Sequence, residues 1–448
     1  MPDCYNRSMS NRREQRAATP LPASIASLAH EGRGIARING KTVFIDGALA
    51  GEQVRFLYTR KRGQFAEGRT VEVLQPSALR VAPRCPHYGL CGGCSLMHLD
   101  GDEQLLHKQA VLLEQLRHSG GLEPERVLPP LSAARWGYRR KARLGVKYVA
   151  GKGKVLVGFR EKYSSFIADI DSCEVLHPLL GRTIDQLKEL LHKLSVYRQI
   201  PQLEVAVSDT VAAVVIRHLA PLTDADRSTL ADYEAGRPLR FYLQPGGLDS
   251  VHSLSERPEQ GLYYRLDNHD VTVEFLPMDF TQVNFELNAL LVDRVLELLD
   301  LGATDTLLDL FCGLGNFTLA GARYAQRAIG LEGSDNLVRR AQANARNNRL
   351  ANVDFSVCDL SKPDRCAELN GYEHNKVLLD PPRSGAREVI EQLNLRQVEK
   401  LVYVSCNPAT LARDAGILVN KGGLKLAAAG VMDMFPHTAH VESIALFE

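Results

Sequence analysis

Beyond residue 271 the chain alternates short apolar runs with longer segments of helical periodicity. The apolar runs predict strands at 306–311, 328–333, 353–358, 376–380 and 401–405, and helices are predicted near 316–324, 336–349 and 409–419. Because a strand, a helix and a second strand in succession form a βαβ crossover, this rhythm predicts a mostly parallel sheet. The last two apolar runs, 425–434 and 441–447, are joined by too few residues for a crossover, so they predict an antiparallel hairpin.

Residues 23–79 show a different pattern, in which apolar and polar positions alternate over short runs such as 34–38, 42–45 and 53–57. Turn signals separate these runs, the clearest being Asn39-Gly40 and Asp46-Gly47. Short strands with turns at this spacing predict a small OB-like β-barrel, an architecture that often binds oligonucleotides.

The middle of the chain is less regular. Apolar residues at a period close to 3.6 predict a packing helix over 102–118, which we expect to lie on the C-terminal domain. Residues 135–270 are predicted to be mostly strands, with a helical interlude near 184–194. With 448 residues, of which 45% are hydrophobic, the chain is too long for one core and is predicted to be a multidomain α/β protein.

Charge is distributed unevenly. The net charge of +1 argues against a uniformly basic nucleic-acid binder. Residues 1–80, however, hold 13 Lys and Arg against 7 Asp and Glu, and residues 135–162 hold 10 against the single acid Glu161. Such local excesses are typical of patches that meet phosphate.

The N-terminal segment 1–18 is polar and arginine-rich, so we expect a disordered basic tail. It has no apolar core long enough for a signal peptide, and no later segment approaches a membrane span, so a cytoplasmic protein is expected. Nine cysteines in a reducing compartment do not form a disulfide framework, and clustered ones indicate metal or catalytic sites. Four cysteines lie outside any such cluster and are expected to be structural: Cys4, Cys312, Cys358 and Cys366.

A glycine loop at 309–318 follows the first strand of the C-terminal pattern. It has Gly313 and Gly315 but Thr318 where a dinucleotide fingerprint has a third glycine, so it fits an NAD site poorly. Glu332 ends the next strand, where a carboxylate can accept hydrogen bonds from ribose hydroxyls. The combination favours a nucleoside cofactor over a simple tight turn.

Three cysteines, Cys85, Cys91 and Cys94, fall within ten residues with glycines beside them, and Cys173 is available as a fourth. Four thiolates suit either a tetrahedral zinc or an iron–sulfur cluster. Zinc more often uses two C-x2-C pairs, so the spacing by itself favours the cluster and leaves zinc open.

The segment 136–143 interleaves Trp136 and Tyr138 with four cations. Aromatic rings stack on bases and cations neutralise phosphates, so this segment is a candidate for RNA contact. A solvated charged face is the alternative.

Cys406 ends the strand at 401–405 and is followed by Asn407-Pro408, while Asp380 ends the neighbouring apolar run and Glu442 lies in the last one. In an open α/β sheet, ligands bind beyond the carboxyl ends of the strands. A cysteine nucleophile beside a nucleoside cofactor, in a chain with RNA-binding patches, indicates methyl transfer to a pyrimidine ring carbon. A thiolate must add to carbon-6, and a base must then remove the carbon-5 proton.

The motifs that carry this chemistry resemble those of the RNA 5-methyluridine methyltransferases along nearly the whole chain. They are the segments 280–284, 309–317, 380–383, 405–408 and 436–442. The resemblance implies a Rossmann-like domain dependent on S-adenosyl-L-methionine, with Cys406 as nucleophile and Glu442 as proton acceptor. The cofactor-binding residues that it implies are Gln282, Phe311, Asn316, Glu332, Asp359 and Asp380. It also implies a 4Fe-4S cluster on Cys85, Cys91, Cys94 and Cys173.

The barrel resembles the TRAM domain of one subgroup, and the presence of both barrel and cluster motifs implies 23S rRNA as substrate. The expected domains are a TRAM barrel at 19–80, a small β-rich iron–sulfur domain at 81–270 and the catalytic domain at 271–448. A monomer without membrane contact is expected. The alternatives are methylation of a tRNA or of another rRNA uridine. Radical methylthiolation, which needs a C-x3-C-x2-C motif, and a non-catalytic RNA chaperone are less favoured.

Overall fold

The computed structural model of the chain describes residues 19–255, 261–362, 364, 366, 369 and 371–448. It divides into two compact units. The barrel unit comprises the residues up to Gly89 together with Cys94–Gln104 and His437–Ala439, and the catalytic unit comprises Leu90–Gly93, Leu105–Pro436 and His440–Glu448. The predicted tail at 1–18 lies outside the described residues.

The barrel unit is built on one six-stranded sheet with the spatial order β1-β5-β6-β4-β3-β2. All neighbours are antiparallel except β4 and β6, which are parallel. The strands are β1 (Leu21–Ser24), β2 (Ser27–Leu28), β3 (Gly34–Ile38), β4 (Lys41–Asp46), β5 (Gln53–Lys61) and β6 (Phe65–Gln75).

Local sequence explains this sheet. Asn39 and Gly40 both have positive φ angles, of 50° and 77°, as the tight turn between β3 and β4 requires. Alternate residues of the strands, such as Val43 and Ile45, are completely buried in one small core. The predicted barrel strands are thereby confirmed.

The first sheet of the catalytic unit has six strands in the order β13-β12-β11-β10-β8-β9. Its strands are β8 (Lys141–Val149), β9 (Lys154–Gly158), β10 (Gln202–Val207), β11 (Ala212–Arg217), β12 (Leu239–Gln244) and β13 (His252–Ser253). Three helices accompany them: α2 (Pro178–Gly181), α3 (Ile184–Lys193) and α4 (Asp224–Glu234). The predicted interlude near 184–194 is α3, whereas α4 was not predicted.

The second sheet of the catalytic unit has eight strands in the order β18-β17-β16-β19-β20-β22-β21-β7. Its strands are β7 (Arg126–Val127), β16 (Thr306–Leu310), β17 (Arg327–Glu332), β18 (Val353–Val357), β19 (Lys376–Leu379), β20 (Lys400–Ser405), β21 (Leu426–Met432) and β22 (Glu442–Phe447). The first five in spatial order are parallel, and β21 and β22 form the expected antiparallel hairpin. The predicted strands of this sheet are therefore confirmed, apart from β7, which the sequence pattern missed.

Helices cover both faces of this sheet. They are α1 (Gly101–Gln115, continued by a π-helical turn at Leu116–Gly120), α5 (Phe285–Leu299), α6 (Asn316–Gly321), α7 (Asp335–Asn347), α8 (Arg387–Gln392) and α9 (Pro408–Asn420). Alternate residues of each strand enter different cores: Val402 packs with α5, whereas Tyr403 packs with α1, α8 and α9. Leu112 and Leu116, in the segment expected to pack on the catalytic domain, lie in the second core together with residues of β19 and β20.

An antiparallel hairpin of β14 (Leu262–Leu266) and β15 (Val271–Phe275) packs into the first of those cores and spans the expected domain boundary at residue 271. The strand order of the large sheet reverses between β16 and β19, which are neighbours. In doubly wound sheets such a reversal opens a crevice beyond the carboxyl ends of the strands, where ligands bind. The glycine loop follows β16 and Asp380 follows β19, so both lie at this crevice.

Candidate active site

The glycine loop connects β16 to α6 through a left-handed backbone. Phe311, Gly313 and Gly315 have φ angles of 69°, 56° and 87°. A Cβ on Gly315 would come within 2.9 Å of the Phe355 ring, so only glycine fits there, whereas a Cβ on Gly313 would meet no described heavy atom within 4 Å. The loop is therefore tightly packed at Gly315 and leaves open space at Gly313.

Glu332 lies beside this opening at the end of β17. One of its carboxylate oxygens accepts a hydrogen bond from the Gly313 N–H (3.3 Å), and the other accepts from the Ser334 N–H (2.9 Å). The carboxylate predicted to meet a ribose is thus held against the loop by backbone donors.

Thr318 takes the place of the third glycine, and its role is to hold Asp309. Its hydroxyl donates to the Asp309 carboxylate at 2.5 Å, and Asp309 is completely buried. Burial raises the pKa of Asp309 to about 7, with a contribution from the nearby Asp380. Asp309 was not among the predicted site residues, although an acid inside an apolar strand that leads into a glycine loop is a usable signal.

Asn316 begins α6, and its side chain is engaged within the protein. Its carbonyl oxygen accepts from the Tyr264 hydroxyl (2.9 Å) and from Asn288 Nδ2 (2.9 Å), and its own Nδ2 donates to Asn288 Oδ1 (3.0 Å). These contacts fix the start of α6. A role of Asn316 at the cofactor stays a prediction.

The two remaining cofactor candidates differ in exposure. Gln282 is half-buried in the segment before α5. Asp359 follows β18 and is exposed, and hydrogen bonds from the hydroxyl and N–H of Ser361 hold the pKa of its carboxylate below the usual value. Both lie in the catalytic unit, and their role at the cofactor stays a prediction.

Cys406 stands between β20 and α9. Asn407 caps that helix by accepting from the Ala409 N–H (3.1 Å), and its Nδ2 donates to the Arg383 carbonyl (3.1 Å). Ser405 pairs with Ser443 in the antiparallel register of β20 and β22. Cys406 and Glu442 adjoin this last pair of the register, and the charge of Glu442 acts on the Cys406 thiol.

Cys406, Glu442 and Asp380 interact electrostatically. Burial, together with the charges of Glu442 and Asp380, raises the pKa of the Cys406 thiol to about 11. Burial and the charge of Asp380 raise the pKa of Glu442 to about 8, against the lowering effects of Arg383 and Lys108. Burial raises the pKa of Asp380 to about 7. Carboxylates that share a buried site resist simultaneous ionisation, so these side chains can bind and transfer protons near neutral pH.

The four cysteines predicted to bind a cluster are all half-buried. Cys85 and Cys94 belong to the barrel unit, and Cys91 and Cys173 to the catalytic unit. Among the described residues no group of three or more His, Cys, Asp or Glu side chains is arranged to hold a metal ion. The cluster therefore stays a prediction. Cys358 and Cys366, which were expected to be structural, form a disulfide that was not predicted.

Several cations of the basic segment at 136–143 have partners within the catalytic unit. Arg140 donates to the Ser208 carbonyl (2.7 Å) and lies 3.4 Å from the Asp209 carboxylate, and Arg143 pairs with Glu204. Lys141 donates to the Pro277 carbonyl, and burial lowers its pKa to about 8. Acids distant in sequence thus balance cations that looked unpaired along the chain.

Comparisons with known proteins agree with this architecture. A family model described as tRNA (Uracil-5-)-methyltransferase matches residues 262–448, and one described as the TRAM domain matches residues 20–71. Among solved structures, Pyrococcus abyssi tRNA (uracil-54, C5)-methyltransferase in complex with S-adenosyl-L-homocysteine has a TM-score of 0.73 at 24% sequence identity, covering 95% of this chain and 99% of that one. That likeness shows the fold.

Two relatives are similar over nearly their whole length. Both are named 23S rRNA (uracil(1939)-C(5))-methyltransferase RlmD: that of Nitrosococcus oceani is 53% identical over 98% of each chain, and that of Alcanivorax borkumensis is 51% identical over 98% of this chain and 99% of its own.

Fold and site together define an α/β methyltransferase with an N-terminal TRAM domain. The chain belongs to the family of RNA uracil-C5 methyltransferases, and within it to the group of relatives that carry the RlmD name. No helix in the described part of the chain is long and apolar enough to cross a membrane.

Proposed function

We propose that this protein transfers a methyl group from S-adenosyl-L-methionine to carbon-5 of a uridine in 23S rRNA, with Cys406 as nucleophile and Glu442 as base. The observation that carries the proposal is the electrostatic coupling of Cys406, Glu442 and Asp380 beside a glycine loop, in a chain of the uracil-C5 methyltransferase family.

Cys406 begins the reaction. Carbon-5 of uracil is too weak a nucleophile to take a methyl group directly, and addition of sulfur to carbon-6 moves the ring electrons toward carbon-5 as an enolate. The raised pKa of Cys406, about 11, means that its thiol is protonated at neutral pH and must lose a proton before it adds. The nearby carboxylate of Asp380 can take that proton, which leaves the carboxylate of Glu442 for the carbon-5 proton.

Glu442 completes the reaction. After carbon-5 has formed its bond to the methyl group, the carboxylate of Glu442 takes the carbon-5 proton. The electrons of that C–H bond restore the C5–C6 double bond, and the C6–S bond breaks to release Cys406 as a thiolate. Because Glu442 has a pKa of about 8, the rate of this release is expected to rise with pH up to about that value.

The donor site fits the crevice at the glycine loop. S-adenosyl-L-methionine, when bound, supplies the methyl group. The open space over Gly313, with the Glu332 carboxylate beside it, suits a nucleoside whose ribose hydroxyls donate to that carboxylate. We propose Gln282, Phe311, Asn316, Asp359 and Asp380 as the other residues of this site.

The names of the relatives and the TRAM domain support 23S rRNA as the substrate, at the uridine that corresponds to position 1939 in those names. Methylation of a tRNA uridine is the second candidate, because the matching family model and the solved neighbour carry tRNA names. Purified protein should be incubated with labelled methyl donor and with 23S rRNA or tRNA transcripts. Label in 23S rRNA alone supports the first candidate, and label in tRNA alone supports the second.

We further propose that Cys85, Cys91, Cys94 and Cys173 ligate a 4Fe-4S cluster. The support is chemical: four half-buried thiols form the donor set of such clusters, and the Sγ of Cys91 accepts an N–H hydrogen bond from Gly93 (3.4 Å), a contact typical around cluster sulfurs.

Iron and acid-labile sulfide should be measured in protein purified without oxygen. Replacing any one of the four cysteines by serine is expected to remove both, whereas Cys4→Ser, outside the motif, should leave them unchanged. Stoichiometric zinc without iron would reject the cluster. We also propose that the enzyme is monomeric and cytoplasmic. Light scattering tests the first point, and cell fractionation tests the second.

A further inference from the structure

A loop with two exposed aromatic rings follows β9 in the catalytic unit, and we call its residues 160–167 the aromatic loop. The rings belong to Tyr163 and Phe166, whose exposed fractions are 56% and 59%. Single exposed apolar residues are common on protein surfaces and need no explanation. Two rings on one short loop, each more than half exposed, leave a larger apolar area in contact with water. The aromatic loop is therefore a candidate surface for a partner.

The backbone of the aromatic loop is fixed by hydrogen bonds of its own. The Glu161 N–H donates to the Phe166 carbonyl (2.8 Å), and an antiparallel bridge joins Arg160 to Ile167. Inside the loop, the Ser164 hydroxyl donates to the Glu161 carboxylate (2.7 Å) and accepts from the Phe166 N–H (3.0 Å). Because these bonds shape the loop before a partner arrives, less conformational entropy is lost when it binds.

A second set of bonds attaches the aromatic loop to the segment that contains Cys91. The Lys162 N–H donates to the Leu90 carbonyl (2.9 Å), and the Gly92 N–H donates to the Arg160 carbonyl (2.9 Å). Both segments belong to the catalytic unit, and Leu90 is exposed as well. The loop is therefore supported by a second part of the same unit.

The charge carried by the aromatic loop is mainly positive. Arg160 is exposed, and the ammonium group of Lys162 lies 5.9 Å from the centre of the Tyr163 ring. The one acid in the sequence of the loop, Glu161, accepts from Ser164. Exposed rings beside cations are the combination that stacks on unpaired bases and neutralises their phosphates. Lysine, by contrast, is depleted from protein–protein interfaces, which favours RNA over a protein as the partner.

We propose that the aromatic loop is a stacking surface for unpaired nucleotides of the rRNA substrate. Tyr163 and Phe166 stack on bases, and the cations Arg160 and Lys162 contact the adjacent phosphates. The inference rests on the proposed function, because it assigns these side chains to recognition of the same RNA and not to the chemistry at Cys406.

The test measures how four variants bind RNA. Tyr163→Ala/Phe166→Ala removes both rings, and Tyr163→Leu/Phe166→Leu replaces them by apolar side chains without rings. Arg160→Ala removes a cation, and Leu248→Ala, which changes another exposed apolar residue outside the loop, is the matched control. The probes are a single-stranded fragment of 23S rRNA that contains the target uridine and the same fragment annealed to its complement. Affinity is measured over a range of salt concentrations.

The double alanine variant is expected to bind the single-stranded fragment about 5- to 150-fold more weakly for each base that no longer stacks. The slope of log K against log salt should stay the same, since no phosphate contact is lost. The double leucine variant should lose affinity as well, because leucine has no ring to stack. Arg160→Ala should instead lower the slope by about 0.7. Leu248→Ala should bind like the wild type.

The annealed fragment provides the comparison that identifies stacking. Its bases are paired and cannot stack on the loop, so the double alanine variant and the wild type should bind it equally. An equal loss of affinity for both forms of the fragment would overturn the inference.

Wild-type affinity of the double alanine variant for the single-stranded fragment would also overturn the inference, as would wild-type affinity of the double leucine variant, which would show an apolar contact without stacking. If only the wild type forms dimers in light scattering and RNA binding is unchanged, the loop is instead a contact between copies of this chain. Binding of the methyl donor, measured by isothermal titration, shows that each variant is folded. If the double alanine variant fails that control, the double leucine variant decides the question, because it keeps apolar side chains at both positions.

Methylation by the wild-type protein separates this inference from the proposed function. If the wild type does not methylate 23S rRNA, the proposed function fails and the inference with it. If the wild type methylates 23S rRNA and the ring variants bind the single-stranded fragment as it does, only the inference fails.

Discussion

Replacement of Glu442 by Gln is the most informative change in this protein. Glutamine has nearly the same shape as glutamate and can still donate and accept hydrogen bonds, but it cannot accept the carbon-5 proton. The variant should bind both substrates, add Cys406 to carbon-6 and transfer the methyl group. It should then stop, because the C6–S bond breaks only when that proton leaves.

The size of the kinetic effect follows from what a positioned base contributes, which is about 10²- to 10⁴-fold. Product release should slow by that factor, while the first methyl transfer should be affected far less. A methylated adduct should therefore be visible on denaturing gels within a single turnover, and the fraction of protein in it should approach the fraction that is active.

The stability of the variant gives an independent measurement. The pKa of Glu442 is raised from 4.5 to about 8, so the folded protein binds a proton that the unfolded chain loses between these pH values. The free energy of unfolding of the wild type therefore falls as pH rises through this window, by at most about 5 kcal/mol. Glu442→Gln lacks this loss, so its free energy of unfolding should exceed that of the wild type at pH 8.5 and approach it near pH 4.5.

The assay needs two companion variants. Cys406→Ala should form no adduct yet should bind the methyl donor, which isothermal titration can measure. Asp380→Asn tests the competing base, since the pKa of Asp380 is also raised, to about 7. Fast turnover by Glu442→Gln without an adduct, combined with a trapped adduct in Asp380→Asn, would transfer the base role to Asp380 and refute the assignment of Glu442.

Two further predictions concern the barrel and the glycine loop. The exposed cations Arg60 and Arg62 lie at and just after the end of β5. The double variant Arg60→Ala/Arg62→Ala should bind 23S rRNA more weakly, and the slope of log K against log salt should fall by about 0.7–0.9 for each phosphate that the protein no longer neutralises. Unchanged binding of the methyl donor is the control, and an unchanged slope would show that these residues do not contact the RNA. Gly315→Ala should lower stability by about 1–3 kcal/mol and weaken binding of the methyl donor, because its φ is 87° and the new Cβ would meet the Phe355 ring at 2.9 Å. Gly423→Ala, with a φ of 77° but open space around the new Cβ, isolates the backbone cost, and equal losses in the two variants would argue against the packing contribution.

Elements whose causes are local could be predicted from the amino-acid sequence alone. Apolar periodicity placed β16, β17 and β20 to within a residue or two, and Asn39-Gly40 marked a hairpin turn because both residues accept positive φ. Cys406 and Asp380 could be recognised since a side chain at the end of a parallel strand lies at the ligand-binding edge of the sheet whatever the rest of the fold does.

Features that depend on partners distant along the chain became visible only in the folded protein. Lys108 is an ordinary helical lysine in the sequence, and only folding brings it to Asp433, 325 residues later. Arg140 and Arg143 looked like a basic surface until Asp209 and Glu204 were found opposite them. The effect of burial on a pKa also depends on distant parts of the chain. The pKa of Glu442 is raised to about 8 by desolvation and by neighbouring charge, and both arise only in the packed molecule.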